Sequence, residues 1–330
     1  MKIPELMRAV VVSRPGGPEV LELTRRPVPP PREGEVLIRI RAFGLNRAEL
    51  FTRQGDSGAA VRFPRIIGIE CVGEVAAAPG GDLRVGQKVA AMMGGMGRKF
   101  DGSYAEYTRA PRAAVFPLES ELDWPTLGAL PEMFQTCNGS LRTGLRVEPG
   151  QTLFIRGGSS SIGLTSAALA KRRGLRVLAT TRNPSKAAAL TAAGVDEVII
   201  DHGGSLVEDV RRHAPAGADR VLELIGTKTL GDSLRCAAPG GIVCMTGMLG
   251  GEWIWRDFDP FVDLPNGVCL TSYGGGAEDV TAEELQDFVT AVERGEAPSN
   301  RGRTFALEEL QEAHRFMEAN RAKGKLVVVL

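Results

Sequence analysis

The second half of the chain alternates short apolar runs with segments of helical character. Each apolar run has the length and composition of a strand, and the segments between the runs are long enough for helices. Strands and helices in this alternation form a doubly wound parallel sheet, so the fold class is α/β. The predicted strands are 151–156, 175–181, 197–201, 219–225, 241–247 and 267–273, and the predicted helices are 161–173, 184–193, 204–213, 227–237 and 281–294.

The first part of the chain has a different pattern, because its apolar runs follow one another without long helices between them. Proline and glycine clusters punctuate the runs, and strands spaced this closely predict an antiparallel, barrel-like domain. Residues 46–53 and 128–145 have helical patterns. The predicted strands of this part lie within 9–12, 21–24, 36–42, 63–75, 85–92 and 102–110.

The chain ends with a helical segment, about 307–320, and an apolar terminal strand, 324–330. Because no helix follows this strand, we expect it to return to the first domain. A chain of 330 residues also exceeds what one compact core usually holds. We therefore expect two domains, one of residues 1–127 with 274–330 and the other of residues 128–273.

Composition and charge exclude several classes of function. Lys plus Arg and Asp plus Glu each number 40, so there is no net positive field to attract nucleic acid or an anionic membrane. The N-terminus lacks the apolar core of a signal peptide, and no apolar run has the length of a membrane span. Five cysteines are scattered without a C-x-x-C pair, which is typical of free thiols. We expect a cytoplasmic protein.

Residues 151–183 predict a strand, a turn of small residues, a helix and a second strand, which is the first half of a dinucleotide-binding unit. A turn of glycine and serine lets the backbone approach a pyrophosphate closely. The helix N-terminus behind the turn presents unpaired N–H groups and a positive dipole end to the phosphates. The residues predicted to line this cradle are Gly158, Ser159, Ser160, Ser161 and Ile162.

The end of the second strand of this unit predicts which nicotinamide cofactor is bound. An NAD-specific unit usually carries an acid there for the ribose 2′-hydroxyl, whereas this chain has Arg182 and Lys186. Both cations suit a 2′-phosphate, and Thr180 and Asn183 can add hydrogen bonds. The alternative is a solvated helix start, although cations are unfavourable at that end of a helix dipole. We predict NADPH as the cofactor.

Several segments, in order along nearly the whole chain, resemble the medium-chain dehydrogenase/reductase superfamily. Within it, the chain is most similar to the zinc-independent, zeta-crystallin-like quinone oxidoreductases. This resemblance implies a GroES-like, β-barrel-type domain and a Rossmann domain with a six-stranded parallel sheet. The segments that carry it are FGLNRAELFTRQG (43–55), GIECVGEV (68–75), GSYAEY (102–107), GGSSSIG (157–163), APGGIVCMTGMLGG (238–251) and AHRFMEANRAKGKLVVV (313–329).

The same resemblance implies a site without a metal. Zinc members of the superfamily carry a Cys ligand near the position of Asn46 and a His ligand near that of Ile69, and residues 92–104 lack the cysteines of a structural zinc lobe. Zinc needs several converging N or S ligands. Three histidines, His202, His213 and His314, are far apart in sequence, so we predict no metal site.

The catalytic residues implied by the resemblance are Asn46, Phe51 and Arg53. We expect Asn46 to face the nicotinamide, where its amide can bind the ribose or a substrate oxygen. Phe51 stands where many relatives carry Tyr, so it either stacks on a planar substrate or packs in the core. Arg53 either stabilises an anion or forms a salt bridge with Glu49 one helical turn away.

Further cofactor contacts implied by the resemblance come from Thr136, Gly247, Met248, Tyr273 and Asn320. One residue departs from the family pattern, because Ser160 stands where the middle glycine of the turn is expected. Its hydroxyl can donate a hydrogen bond to a phosphate oxygen, but its Cβ limits close approach.

We therefore predict an NADPH-dependent, zinc-free reductase that delivers hydride to a quinone or an α,β-unsaturated carbonyl. Two alternatives stay open: an enoyl-thioester reductase, and a non-catalytic NADPH-binding protein with a crystallin-like or sensor role. Relatives commonly pair an edge strand of the nucleotide domain, so the resemblance also implies a homodimer.

Overall fold

The computed structural model of the protein describes residues 2–330, which form two compact units. One unit contains the residues up to Gln135 together with Gly276–Leu330, and the other contains Thr136–Gly275. The boundaries expected from sequence lie at residues 127 and 274, so the observed first boundary falls inside a helix instead of before it. We call these the first and the second unit.

The strands and helices follow one another with short connections. The strands are β1 (Leu6–Val12), β2 (Leu21–Pro27), β3 (Glu35–Gly44), β4 (Glu70–Ala77), β5 (Lys88–Met92), β6 (Tyr107–Pro111), β7 (Val115–Pro117), β8 (Thr152–Arg156), β9 (Arg176–Thr181), β10 (Glu197–Ile200), β11 (Ala218–Glu223), β12 (Ala237–Met245), β13 (Cys269–Ser272), β14 (Arg301–Ala306) and β15 (Lys325–Val329). The α-helices are α1 (Arg47–Gln54), α2 (Trp124–Leu127), α3 (Pro131–Gly139), α4 (Ser161–Arg172), α5 (Ala187–Ala192), α6 (Val207–His213), α7 (Thr227–Cys236), α8 (Pro260–Asp263), α9 (Ala282–Glu293) and α10 (Leu310–Glu318).

The first unit is built on a seven-stranded sheet in the order β14-β15-β3-β4-β5-β7, with β6 also paired to β3. β1 and β2 form a separate antiparallel pair. The terminal strand β15 pairs antiparallel with β3, as the sequence predicts, and Val328 faces Phe43 in this register. Most residues of β3 and β4 are buried, and side chains such as Ile38 and Val75 belong to the core of the unit.

Several elements differ from the sequence-based prediction, among them one helix and one strand. The segment predicted as one helix, residues 128–145, is α3 followed by a π-helical turn, Ser140–Gly144. Strand β14 is absent from the prediction because its sequence, RGRTFA, is largely charged or polar and does not resemble a buried strand. Its place at the edge of the sheet explains this composition, since charged side chains protect an exposed edge from pairing with other chains.

The second unit has the predicted six-stranded parallel sheet, in the order β10-β9-β8-β11-β12-β13. Helices connect the strands, and buried Phe154, Leu178, Val221 and Val243 contribute to its core. The chain runs outward from β8 to β10 and then crosses to β11 on the other side of β8. This reversal places a topological switch point at the carboxyl ends of β8 and β11, where open α/β sheets bind ligands.

Helix α4 lies close to the turn that precedes it. A Cβ atom added at Gly163 would lie 2.4 Å from the carbonyl oxygen of Gly158. Because this neighbour is backbone, it cannot move aside as a flexible side chain would. Gly163 therefore permits the contact between the helix and the turn. In addition, no helix among residues 2–330 has the length and apolar character needed to cross a membrane.

We predict that Gly163→Ala lowers the free energy of unfolding by about 1–3 kcal/mol, the usual effect of overpacking at a rigid site. Urea titration measures this change. Gly204→Ala is the matched control, because a Cβ atom there would meet no atom within 4 Å. Equal stability of the two variants would contradict the close packing of α4 on the turn.

Candidate functional site

The turn between β8 and α4, residues 157–161, lies at the switch point and is held by its own backbone. Gly157 has φ +87°, a left-handed conformation that favours glycine. A Cβ atom at Gly158 would lie 2.7 Å from the Cβ atom of Ala179, so this residue packs directly against β9. The buried hydroxyl oxygen of Thr180 accepts a hydrogen bond of 2.9 Å from the N–H of Gly157. Thr180 thus fixes the turn.

Ser160 is the N-cap of α4. Its hydroxyl oxygen accepts a hydrogen bond of 3.0 Å from the N–H of Gly163, and its hydroxyl proton is donated over 2.9 Å to the carbonyl oxygen of Gly157. Serine is among the residues preferred at this position. The prediction that this hydroxyl donates to a phosphate is therefore corrected, since its only proton serves the turn.

The remaining turn residues stay accessible. Ser159, Ser161 and Ile162 are half-buried, and Ser161 and Ile162 form the start of α4. The N–H groups of a first helical turn have no partner within the helix. They point out of the helix end, together with the positive end of its dipole. This arrangement suits an anionic group of a ligand.

The carboxyl end of β9 carries two cations. Arg182 is exposed and Lys186 is half-buried. Within residues 2–330, neither side chain forms an ion pair with an acidic residue. Asn183 lies between them, and its side-chain oxygen accepts a hydrogen bond of 3.0 Å from the N–H of Ser185. Asn183 therefore shapes the bend, while the two cations stay uncompensated.

Other predicted residues follow the next strands at the same edge of the sheet. Gly247 and Met248 follow β12, and the N–H of Gly247 donates over 3.1 Å to the carbonyl of Glu223. Tyr273 follows β13, and its ring packs so closely on Gly139 that a Cβ atom there would lie 1.8 Å from the tyrosine oxygen. The structure thus brings these three residues to the carboxyl edge with the turn.

Two predicted cofactor contacts have other local roles. The carbonyl of Thr136, in α3, accepts a hydrogen bond of 2.6 Å from the hydroxyl of Ser140 at the following π-helical turn. Asn320 belongs to the first unit, is exposed and has φ +55° after the end of α10. Its side-chain oxygen accepts a hydrogen bond from Arg47.

The first unit contains a buried polar cluster that the sequence does not reveal as a group. Carboxylates, an amide, a phenol, an imidazole and two cations are joined by hydrogen bonds in its interior. The members of this buried polar cluster are Asn46, Glu49, Arg53, Glu70, Tyr104, Glu132, His314, Glu318 and Lys325.

Glu49 is the centre of the cluster and is fully buried. Its carboxylate accepts hydrogen bonds from the N–H of Asn46 (2.9 Å), the N–H of Ile69 (3.0 Å) and the hydroxyl of Tyr104 (2.8 Å). Burial raises the pKa of Glu49 to about 7, against these hydrogen bonds, which lower it. The carboxylate also holds the N-terminus of α1, because Asn46 is its N-cap.

The hydrogen bonds around Tyr104 determine the protonation of His314. The phenol donates its only proton to Glu49, so the contact of 2.8 Å to Nε2 of His314 requires that nitrogen to carry a proton. Nδ1 then accepts a hydrogen bond of 3.0 Å from Arg53. Burial, followed by the charge of Arg53, lowers the pKa of His314 to about 3. The imidazole is therefore neutral at physiological pH.

Arg53 is fully buried and has a structural role. Its guanidinium donates to the carbonyl of Gly16 over 3.0 Å, to His314 and to the carboxylate of Glu318. These contacts correct both roles predicted for Arg53. It pairs with Glu318 instead of Glu49, and it is enclosed within its unit and so cannot stabilise an anion of the ligand. Phe51, on the same helix, is half-buried.

Lys325 closes the other side of the cluster. Its ammonium lies 2.8 Å from Oε1 of Glu70 and 2.9 Å from Oε2 of Glu132, and it also donates to Oδ1 of Asn46. Burial alone would lower the pKa of Lys325, but the charges of Glu132 and Glu70 raise it above its ordinary value. Burial raises the pKa of Glu70, and Lys325 opposes that change. The cation thus stays charged.

The two positions at which zinc relatives carry ligands have other partners in this chain. Asn46 directs its amide oxygen to the ammonium of Lys325, and Ile69 offers only a buried aliphatic side chain. Residues 2–330 contain no group of three or more His, Cys, Asp or Glu side chains placed to hold a metal ion.

Two family models match the chain, one within the first unit and one that begins in the second unit and continues into the first. The model of the alcohol dehydrogenase GroES-like domain matches residues 32–120, and the model described as zinc-binding dehydrogenase matches residues 193–328. The chain belongs to the medium-chain dehydrogenase/reductase superfamily. As a member of this superfamily, it has the expected α/β fold with a GroES-like first unit and a Rossmann-like second unit.

Similar proteins align with almost the whole length of the chain. The quinone oxidoreductase of Lama guanicoe is 29% identical and covers 98% of each chain. That of Pseudomonas aeruginosa is 28% identical over 95% of this chain and 97% of its own. Among solved structures, mycobacterial Rv1454c complexed with NADPH has a TM-score of 0.87 and 26% identity, covering 98% of this chain and 100% of its own.

Ionisation of Glu49 is expected to make stability depend on pH. A carboxyl with a folded pKa of about 7 and an ordinary value of 4.5 keeps its proton better when folded, so stability falls as pH rises from about 4.5 to 7. The loss amounts to up to roughly 3 kcal/mol. Glu49→Gln removes this dependence, although it also loses acceptor strength.

Urea titrations of the wild type and Glu49→Gln at pH 5.5 and pH 8 measure this effect. The wild type should exceed the variant in stability by a larger margin at the lower pH. Exposed Glu22→Gln is the control and should give the same difference at both values. Parallel pH profiles for the wild type and Glu49→Gln would refute the protonation of Glu49.

Proposed function

We propose that the protein is an NADPH-dependent oxidoreductase that works without a metal and reduces a quinone or an α,β-unsaturated carbonyl. The observation that carries this proposal is the pair of uncompensated cations, Arg182 and Lys186, beside the turn at residues 157–161. Several relatives that cover almost the whole chain are quinone oxidoreductases, which supports the reaction class.

The residues of the second unit fit a nicotinamide dinucleotide. Gly158 lets the turn pack closely against β9, and the N–H groups of Ser161 and Ile162 at the start of α4 can bind the oxygens of a pyrophosphate. Arg182 and Lys186 would hold the 2′-phosphate of NADPH. When bound, the dihydronicotinamide supplies a hydride, and the protein orients the reactants around it.

The proposal that no metal takes part rests on the donor groups of the first unit. Zn²⁺ requires several N, S or carboxylate ligands that converge on one point. Here the amide oxygen of Asn46 already accepts from Lys325, whose positive charge would repel a second cation. Ile69 has no donor atom. Charge that develops on the substrate oxygen must therefore be stabilised by hydrogen bonds and solvent.

Among the predicted catalytic residues, we retain Asn46 and Phe51. The role of Asn46 becomes narrower, and that of Phe51 is unchanged. The two amide protons of Asn46 are directed to Glu49 (3.3 Å) and Glu70 (3.0 Å), so its remaining capacity is a lone pair on Oδ1. Asn46 would accept a hydrogen bond from a hydroxyl group of the ligand. Phe51 would contact the planar substrate. Arg53 is left out because it is enclosed.

A homodimer is also proposed. Strand β13 is the last strand on its side of the sheet, among the residues that the structure describes, so one row of its backbone groups is open to pairing. The segment before it exposes large apolar side chains, which favour burial against another surface. These are Trp253, Ile254, Phe261 and Val262.

Oxidation of NADPH, followed by absorbance, tests the reaction class against quinones, enones and enoyl thioesters. We expect turnover with quinones or enones, and the same rate after treatment with a strong chelator. Turnover with enoyl thioesters alone would favour the thioester reductase. NADPH binding without turnover would favour the non-catalytic alternative, and loss of activity with the chelator would refute the metal-free proposal.

The pair Arg182→Ala and Lys186→Ala tests the choice of cofactor. Each cation lost from a phosphate contact should raise the Kd for NADPH roughly 10- to 100-fold, because charged hydrogen bonds are worth about 1.5–3 kcal/mol. The Kd for NADH should change little. Fluorescence titration measures both, with Arg211→Ala as an exposed cation in the same unit for control. An unchanged NADPH-to-NADH ratio would overturn the assignment.

A further inference from the structure

The ammonium of Lys325 is held by a cage that uses all of its hydrogen-bonding capacity. The side chain is 4% exposed, and its three N–H donors bind Glu70, Glu132 and Asn46. A second contact closes the cage, because Oε2 of Glu70 accepts a hydrogen bond of 2.9 Å from the N–H of Glu132. Lys325 therefore has one fixed position.

Gly44 makes room for this cage. A Cβ atom at that position would lie 2.4 Å from Oε1 of Glu70 and 2.5 Å from Cε of Lys325. Any side chain would separate the ammonium from its carboxylate. The backbone of β3 is thus adapted to let a lysine from β15 reach a carboxylate on β4.

Stability alone gives little reason for such a cage. A buried ion cluster usually stabilises a protein no better than apolar side chains of the same volume. One member of this cage is the amide of Asn46, whose oxygen and nitrogen have partners of opposite charge. Oδ1 of Asn46 faces the cation, while Nδ2 faces two carboxylates at 3.0 and 3.3 Å. A flip of the amide would place its protons against the ammonium and its oxygen against the carboxylates.

We propose that Lys325 is a positioning residue that locks the Asn46 amide in one orientation, with its oxygen as the only group left to meet a ligand. This inference rests on the proposed function in so far as Asn46 meets the ligand there. It also restricts the chemistry of the site. Asn46 cannot donate to a substrate carbonyl, so it orients a hydroxyl of the ligand instead of polarising the group that is reduced.

A comparison of Glu70→Gln with the double variant Glu70→Gln/Lys325→Met isolates the lysine. Removing Lys325 alone would leave two carboxylates without a cation, which by itself destabilises the fold and would obscure the result. In the double variant, one charge of each sign is removed. The control is Lys171→Met/Asp196→Asn, which neutralises an ion pair of 2.8 Å in the second unit.

The first readout needs no turnover. In protein labelled with ¹⁵N at asparagine, the side-chain signals of Asn46 are identified by their absence in Asn46→Ala. We expect them to exchange slowly with solvent in the wild type and in Glu70→Gln. In the double variant they should exchange at least about tenfold faster, because an amide whose oxygen is no longer held by Lys325 can rotate and break the hydrogen bonds of its own protons. Equal exchange in the double variant and Glu70→Gln would overturn the inference.

The second readout is kcat/KM with the best substrate, measured with and without Asn46. Adding Lys325→Met to Glu70→Gln should lower kcat/KM about tenfold when Asn46 is present, the loss expected from one misplaced hydrogen bond. In the Asn46→Ala background, adding Lys325→Met should change kcat/KM less than about twofold. A purely structural lysine would cause the same loss in both backgrounds, which would refute the positioning role.

The two readouts separate this inference from the proposed function. A wild-type protein that turns over no quinone, enone or thioester would contradict the proposed function. The exchange of the Asn46 side-chain protons would still decide whether Lys325 holds this amide in place. A wild-type protein that is active, with a double variant that matches Glu70→Gln in both readouts, would refute the inference alone.

Discussion

A buried carboxylate is tolerated only where hydrogen-bond donors converge on it, and this requirement shapes the first unit around Glu49. Its donors come from the start of α1, from the residue before β4 and from Tyr104. Each donor belongs to a segment that would otherwise be an independent loop. The hydrogen bonds that stabilise this one carboxylate therefore fix both the position of Asn46 and the direction of α1.

The second unit uses the same principle at the end of β11. Glu223 is fully buried, and its carboxylate accepts hydrogen bonds from the N–H groups of Ile225 (2.6 Å) and Gly226 (3.0 Å) and from the hydroxyl of Thr229 (2.9 Å). These contacts fix the connection between β11 and α7 at the carboxyl edge of the sheet. In both units, a buried carboxylate thus fixes the start of a helix, α1 in the first unit and α7 in the second.

Local patterns predict the parts of the structure whose interactions are local. The parallel sheet follows from apolar runs, and the basic end of β9 is visible because Arg182 and Lys186 are four residues apart. The buried polar cluster has no such pattern, since the hydroxyl of Tyr104 meets a histidine 210 residues away. His314 on its own resembles any surface histidine. The sequence does not reveal the role of Arg53 for the same reason, because its partner Glu318 lies far along the chain in α10.

The difference between paired and unpaired cations gives the strongest physical argument about function. Wherever this chain buries a cation, it supplies acids: Arg156 pairs with Asp232, and Lys325 with Glu70 and Glu132. Arg182 and Lys186 receive no acid among residues 2–330, although the helix dipole disfavours cations at a helix start. An anion bound beside them would offset this unfavourable charge. A doubly charged phosphate on the ribose satisfies this requirement, whereas the neutral hydroxyl of NADH does not.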